Sequence, residues 1–248
     1  MEDSIFINLS NKVFIDSIKI AKTFNTEGHI KFNQEGILIQ NIDCVNVCLN
    51  SILIKKEGTN QFLINKDLSI FLNFEDLYNI IKNNKKENIT IKILDSPEKP
   101  EKLYLNLDSF KSEIVLLEEE NSFKEIPSLN HNLNFKMDSK KFKEVIKNLK
   151  NISDRTIFKY EGQKKEFLLY TLNNLDSKME YNILINEIEG QKEEDLKAIF
   201  SNEYLNHYIG NILTEDLKIF ISSEYPLMLI QEDRFIQYKF ILAPRIEE

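Results

Sequence analysis

The sequence predicts an α+β protein built from two similar halves, each with two helices and several antiparallel strands. Three observations predict it. Four segments carry a helical apolar period among many short alternating runs. Landmarks in the first half return about 128 residues later. A polar stretch without regular pattern, LLEEENSFKEIPSLNHN, lies between the two sets.

The first helix is expected over about Asn11 to Phe24, with Phe14, Ile18 and Ala21 on one face and Lys12, Lys19 and Lys22 elsewhere. The second is expected from about Phe74 to Asn84, turning Leu77, Ile80 and Ile81 inward. A third starts after Asp138, a suitable N-cap, and points Phe142, Val145, Ile146 and Leu149 inward. The fourth, near Asn202 to Ile212, uses Leu205, Tyr208, Ile209 and Ile212. Phe14 and Ile18 recur as Phe142 and Ile146, and Ile89, Ile91 and Ile93 recur as Leu217, Ile219 and Ile221. Gly36, opening the strand GILIQ, has a counterpart in the Gly162 turn. A constant offset across helices and strands is what an internal duplication produces. The expected division is residues 1–117, a connector over 118–130, and residues 131–248. Pro127 in the connector opposes both helix and strand ladder, and Leu116, Leu117, Phe123 and Ile126 place apolar groups along it.

At 248 residues the chain can bury a large core, as one big domain or two modest ones. Its 42% hydrophobic and 29% charged residues are ordinary for a soluble globular protein. No apolar run approaches the ~20 residues that span a bilayer, and MEDSIFINLSNK lacks the basic start of a secretory signal. The expectation is a soluble intracellular chain. Cys44 and Cys48 are too few for a disulfide framework. Four strand residues cover roughly 13 Å, too far to bridge or to share one metal, so both are read as small half-buried side chains.

Enzyme chemistry finds little footing. Six glycines form neither a dinucleotide fingerprint nor a phosphate loop, and no Gly-X-Ser-X-Gly elbow occurs. His29, His131 and His207 are far apart and lack metal-ligand spacing; His29, near a glycine turn, reads as a surface residue. With 40 acidic residues, a pair such as Glu193 and Asp195 carries no information. No catalytic residue, metal ligand or cofactor is expected. The net charge of −8 argues at first sight against a polyanion partner, but distribution matters more than the total. Lys12, Lys19 and Lys22 lie on the first helix, opposed by Asp16; Lys82, Lys85 and Lys86 end the second. Lys140, Lys141, Lys143, Lys147 and Lys150 crowd the third against Asp138 and Glu144. Three of four helices are thus basic in an acidic chain, while acids gather in the connector and at Glu193, Glu194 and Asp195.

The ending Tyr238-Lys-Phe-Ile-Leu-Ala-Pro-Arg-Ile-Glu-Glu resembles that of the proliferating cell nuclear antigen family, in which a final strand leads into a Leu-Ala-Pro-basic-Ile-Glu tail. Ser223-Glu-Tyr-Pro-Leu-Met-Leu resembles the family's Pro-Leu strand entry, and Gly36 to Val47 its glycine turn and following strand. The segment from Phe142 to Asp154 and the connector ending Ile126-Pro127 also fit, so the likeness spans both halves.

The resemblance implies a DNA sliding clamp: a pseudo-six-fold ring of three chains whose twelve helices line a central hole. Edge strands would join chains, Lys111 to Leu117 of one with Ser177 to Ile185 of the next. Lys12, Lys19, Lys22, Lys82, Lys85, Lys86, Lys140, Lys143, Lys147 and Lys150 would then face double-stranded DNA. Lysine suits contact with phosphate without register, and only Arg155, Arg234 and Arg245 occur for base reading. Partners would be a DNA polymerase, the clamp loader (replication factor C), a flap endonuclease and a DNA ligase, each docking a short peptide with an aliphatic and two aromatic residues. By match to the family, the pocket would use Ile42, Val47, Leu49, Ile126, Pro226, Ile241, Ala243, Pro244 and Arg245. The short tail points to an archaeal chain acting in the cytoplasm at the nucleoid, or the nucleus if eukaryotic. Three departures stand out: Asn46 where eukaryotic members commonly have His, Ile241 where an aromatic is frequent, and Glu203 and Gly210 on a fourth helix that is elsewhere basic. The last keeps open a subunit of a mixed or checkpoint-type ring.

Overall fold

The computed structural model describes residues 3–94, 100–107, 110–118, 125–184, 188–190 and 194–246. It divides into two compact units, Met1–Ile126 with Asp233–Tyr238, and Pro127–Glu232 with Lys239–Glu248. No helix among the described residues is long and apolar enough to cross a membrane.

The first unit runs β1 (Asp3–Ser10), α1 (Asn11–Ala21), β2 (Glu27–Asn33), β3 (Gly36–Ile42), β4 (Cys48–Lys55), β5 (Thr59–Ile64), β6 (Leu68–Asn73), α2 (Phe74–Ile81), β7 (Asn88–Leu94), β8 (Lys102–Leu107) and β9 (Phe110–Val115). Its strands take the orders β5-β1-β7-β8-β9 and β4-β3-β2-β6. The second unit repeats the series as β10 (Leu133–Asp138), α3 (Ser139–Leu149), β11 (Arg155–Glu161), β12 (Glu166–Leu172), β13 (Lys178–Leu184), β14 (Ile188–Gly190), β15 (Leu196–Ser201), α4 (Asn202–Ile209), β16 (Asp216–Ile221), β17 (Leu227–Glu232) and β18 (Ile236–Leu242). Its orders, β14-β10-β16-β17-β18 and β13-β12-β11-β15, are the same plan.

The duplication reaches individual hydrogen bonds. Asn11 N–H donates to Glu87 O and Ser139 N–H to Glu215 O, both at 2.8 Å. Phe74 N–H donates to Thr26 O at 2.6 Å, and Asn202 N–H to Asp154 O at 2.8 Å. Leu117 N–H donates to Phe71 O at 2.8 Å, and Arg245 N–H to Ile199 O at 2.7 Å. Each pair is related by the same shift of 128 residues. The start of β18 departs from the linear division expected from sequence. Asp233–Tyr238 belong to the first unit, where Phe235 O accepts Lys55 N–H at 2.9 Å and Tyr238 OH donates to Asn50 Oδ1 at 2.7 Å.

Alternation builds the sheets. In β7, Ile89, Ile91 and Ile93 are buried while their neighbours are not. The helices lie on these sheets with Phe14, Ile18 and Ala21, and Phe142, Val145, Ile146 and Leu149, fully buried. Asp138 caps α3 by accepting Lys141 N–H at 2.6 Å, and Asn73 caps α2 by accepting Asp76 N–H at 3.0 Å. The helix C-termini fall earlier than the apolar period suggests. α1 stops at Ala21, α2 at Ile81 and α4 at Ile209, the last with Gly210 as its C-cap. Beyond each, a tight i to i−3 bond replaces the helical one, as from Thr23 N–H to Ile20 O at 3.1 Å.

Gly36 shows why the first hairpin needs glycine. At φ 149°, a Cβ would lie 2.0 Å from Ile54 O. At Gly162 the left-handed residue is instead Lys165 (φ 55°), and Gly162 N–H donates to Asp195 Oδ1 at 2.8 Å. Asp195 therefore supports a turn; Glu193 and Phe123 lie outside the described residues.

Candidate nucleic-acid interface and docking surface

In the first unit α1 and α2 pack side by side, and the cations they carry are not equivalent. Lys12 and Lys19 are exposed on α1. Lys22, its C-cap, is committed: the ammonium lies 2.6 Å from Glu75 Oε2 on α2 and 4.6 Å from the Tyr78 ring centre. That bond holds the Glu75 carboxyl below its usual range. α2 itself starts with Glu75 and Asp76, and its lysines come after the last turn, with Lys82 as C-cap. Lys82 donates to Asn79 Oδ1 at 2.6 Å. Lys85 and Lys86 are exposed in the turn that follows.

In the second unit α3 packs on α4. Lys140, Lys147 and Lys150 are exposed and Lys143 half-buried, all off the face formed by Phe142, Val145, Ile146 and Leu149. Lys141 is held by Glu144 at 3.2 Å and sits 5.8 Å from the Tyr181 ring centre. Lys150 donates to Asn206 Oδ1 on α4 at 2.9 Å. α4 contains no lysine and exposes Glu203. Each unit therefore carries lysines on the outer surface of its helix pair, the second concentrating them on α3.

The docking residues also divide by unit. In the first, Ile42 and Val47 are half-buried on either side of the 43–46 turn, and Ile126 is half-buried. Asp43 organises that turn: its Oδ1 accepts Val47 N–H at 2.8 Å and Cys48 N–H at 2.7 Å. Asn46 has φ 59°, a left-handed conformation that asparagine tolerates, so the backbone accounts for its presence there. Val45 at the tip, 67% exposed, is an apolar surface group the sequence reading did not single out; its place between two turn polar residues was the available signal. In the second unit Pro226, Ala243 and Pro244 are half-buried. His131 Nε2–H donates to Pro226 O at 2.8 Å, and burial pushes the imidazole below its ordinary value.

Several expectations change. Leu49 and Ile241 are only 8% and 7% exposed, so they pack within their sheets. Arg245 is tied to Asp154 at 2.7 Å and holds that carboxyl below its usual range. The two cysteines are not alike: Cys44 is exposed, whereas Cys48 is buried with its thiol pushed up by burial and by Asp43. His29 is half-buried, its ring centre 4.8 Å from that of Phe71. Among the described residues no group of three or more His, Cys, Asp or Glu is placed to hold a metal ion.

Comparison with known proteins fits this arrangement. Residues 10–120 match the family model described as proliferating cell nuclear antigen, N-terminal domain. A DNA polymerase sliding clamp of Nanoarchaeum equitans is 27% identical over 244 residues, covering 92% of this chain and 94% of that one. A clamp of the same name from Archaeoglobus fulgidus is 25% identical, covering 90% of each. Among solved structures, the A. fulgidus protein bound to the C-terminal region of FEN-1 superposes with a TM-score of 0.86 at 20% identity, over 98% of this chain and 99% of that one. The Thermococcus kodakaraensis protein gives 0.83 at 19% identity, over 97% and 100%.

Proposed function

We propose that this chain is a DNA polymerase sliding clamp of the proliferating cell nuclear antigen family, to whose members it is similar along most of its length, and that it forms a closed ring of three copies that holds replication and repair enzymes on duplex DNA. One observation carries the ring. Under the duplication β9 corresponds to β18, and β13 to β4. The start of β18 already sits with β4 inside the first unit, through the Lys55–Phe235 and Asn50–Tyr238 bonds. Among the described residues β9 and β13 each stand last in their sheet order, and both are left without that neighbour. Phe110 and Val115 on β9 are 74% and 67% exposed. An open edge of this kind is satisfied when β9 of one copy meets β13 of another. Head-to-tail joining of this kind gives a ring when the rotation from copy to copy closes on itself, and three copies is the closure proposed.

In this reading the lysines of α1, of the turn after α2 and of α3 attract phosphate without fixing a register, so the ring slides. Retention comes from closure, and the chain itself catalyses nothing. A polymerase, the clamp loader, a flap endonuclease and a ligase would dock peptides on the apolar groups around Ile42, Val47, Ile126, Pro226, Ala243 and Pro244. The FEN-1 segment on the A. fulgidus relative supports that kind of partner. Its place of action would be the archaeal cytoplasm. The lysine-free, Glu203-bearing α4 supports a second reading, a subunit of a mixed ring.

Light scattering on the purified chain tests the proposal. A mass three times the 29.3 kDa of one chain is expected, with stimulation of primer extension on a circular template. A monomer at micromolar concentration refutes the self-closing ring.

A further inference from the structure

A cleft of about 750 Å³ opens in the first unit along the outer edge of β6, lined by Ser69, Phe71, Glu101, Val115, Leu117 and Glu118 among others. We propose that this cleft takes an extended peptide bearing Lys or Arg, which adds a strand to β6 and forms a docking site separate from the one around Pro226 and Pro244.

The backbone supplies the first part of the argument. β6 ends the order β4-β3-β2-β6, with β2 on one side only. Phe71 O accepts Leu117 N–H, so the N–H and C=O of Phe71 point away from β2. With a two-residue period those of Ser69 do the same. Among the described residues, that single bond from Leu117 is the only backbone bond on this outer edge. The remaining outward groups are a template for one more strand, the mode by which extended peptides join sheet edges. Ser69 adds a side-chain group, since its Oγ is buried without a hydrogen-bond partner.

Charge selects the occupant. Among the described residues of the lining, the charged ones are Glu101 and Glu118, both exposed. Lys102, next in sequence to Glu101, is neutralised by Glu113 at 2.6 Å. Leu117, 39% exposed and beyond the end of β9, offers apolar contact beside Glu118. A strand alternating apolar and basic residues matches both features, whereas a nucleic-acid backbone would be repelled.

The duplication shows how this cleft differs from its counterpart. The shift that carries the Leu117–Phe71 bond to Arg245–Ile199 turns the wall Val115–Leu117 into Ala243–Arg245. There the first unit's Leu117 and Glu118 are replaced by Arg245, paired with Asp154, and Ile246. The acid at 118 has a neutral counterpart in Ile246, and the arginine at 245 is already paired, so the second place lacks the acidic wall that would hold a basic peptide.

The test uses the intact protein and a fluorescein-labelled heptapeptide of alternating lysine and valine, followed by anisotropy. Saturable binding is expected. Glu101→Lys with Glu118→Lys should weaken it at least tenfold, and Ser69→Pro, which removes an outward N–H on an edge strand where proline is tolerated, should do likewise. Thermal melts check that each variant folds, and Ser69→Ala, which keeps the backbone donor, should retain most of the affinity. Glu203→Lys, an exposed acid on α4, should leave binding unchanged. Equal affinity in wild type and both cleft variants overturns the proposal, as does an equal loss with Glu203→Lys, which would mean diffuse charge attraction. Binding that falls as protein concentration rises would assign the cleft to a second copy and also overturn it. None of these readings depends on ring formation or polymerase stimulation, so failure of the clamp reading would be seen separately.

Discussion

Replacing Lys140, Lys143 and Lys147 together with alanine should flatten the salt dependence of duplex binding while leaving the fold intact. All three lie off the buried face of α3, and among the described residues none has a side-chain partner comparable to that of Lys141 or Lys22. Each lysine that neutralises a phosphate contributes about 0.9 to the slope of log affinity against log salt, so the three together carry nearly 3. Between 50 and 200 mM salt that slope corresponds to about 3.5-fold per lysine, or about fortyfold for the set. Surface substitutions of this kind change stability by about 0.5 kcal/mol or less each. The assay is anisotropy of a fluorescein-labelled linear duplex, onto which a ring threads without a loader, across a sodium chloride series. Lys141→Ala is the comparison, because Glu144 and Tyr181 already engage that ammonium. A triple variant with the wild-type slope, or a Lys141→Ala loss as large as the triple one, would refute the assignment of α3 to the phosphate surface.

Two further outcomes follow from buried polar groups. Tyr208→Phe removes the hydroxyl that accepts from Gln231 Nε2 at 2.9 Å, while Gln231 Oε1 still takes Leu213 and Thr214 N–H; the orphaned donor should cost about 1–3 kcal/mol in urea unfolding. His131 is held below its ordinary 6.5 by burial, so the folded state favours neutral imidazole. Its contribution is complete above pH 6.5 and declines as pH falls from there toward the folded value. His131→Gln should therefore lose less stability than wild type between pH 7.5 and 5. Parallel urea midpoints for the two proteins at both pH values would contradict this.

The pairing of Phe14 and Ile18 with Phe142 and Ile146 is legible in the chain because burial imposes a period on any helix lying on a sheet, whatever the distant partner. The same holds for Ile89, Ile91 and Ile93 in β7, and for Asp138 as a cap, whose bond spans three residues. Helix ends were read too long because apolar Ile212 continues the pattern after Gly210 has already closed α4.

What the sequence by itself determined is thus everything written in local period: the duplicated α+β plan, the inward faces and the basic character of α1 and α3. Tertiary structure alone decided which of those groups remain available. Lys22 is occupied by a glutamate 53 residues away, Arg245 by Asp154, and Leu49 and Ile241 by their sheets. The cleft beside β6 exists only because the chain returns at Leu117 to an edge laid down at Phe71. Periodicity reports the faces a segment must bury; contacts between remote segments leave no period, and they decide what is left exposed to act.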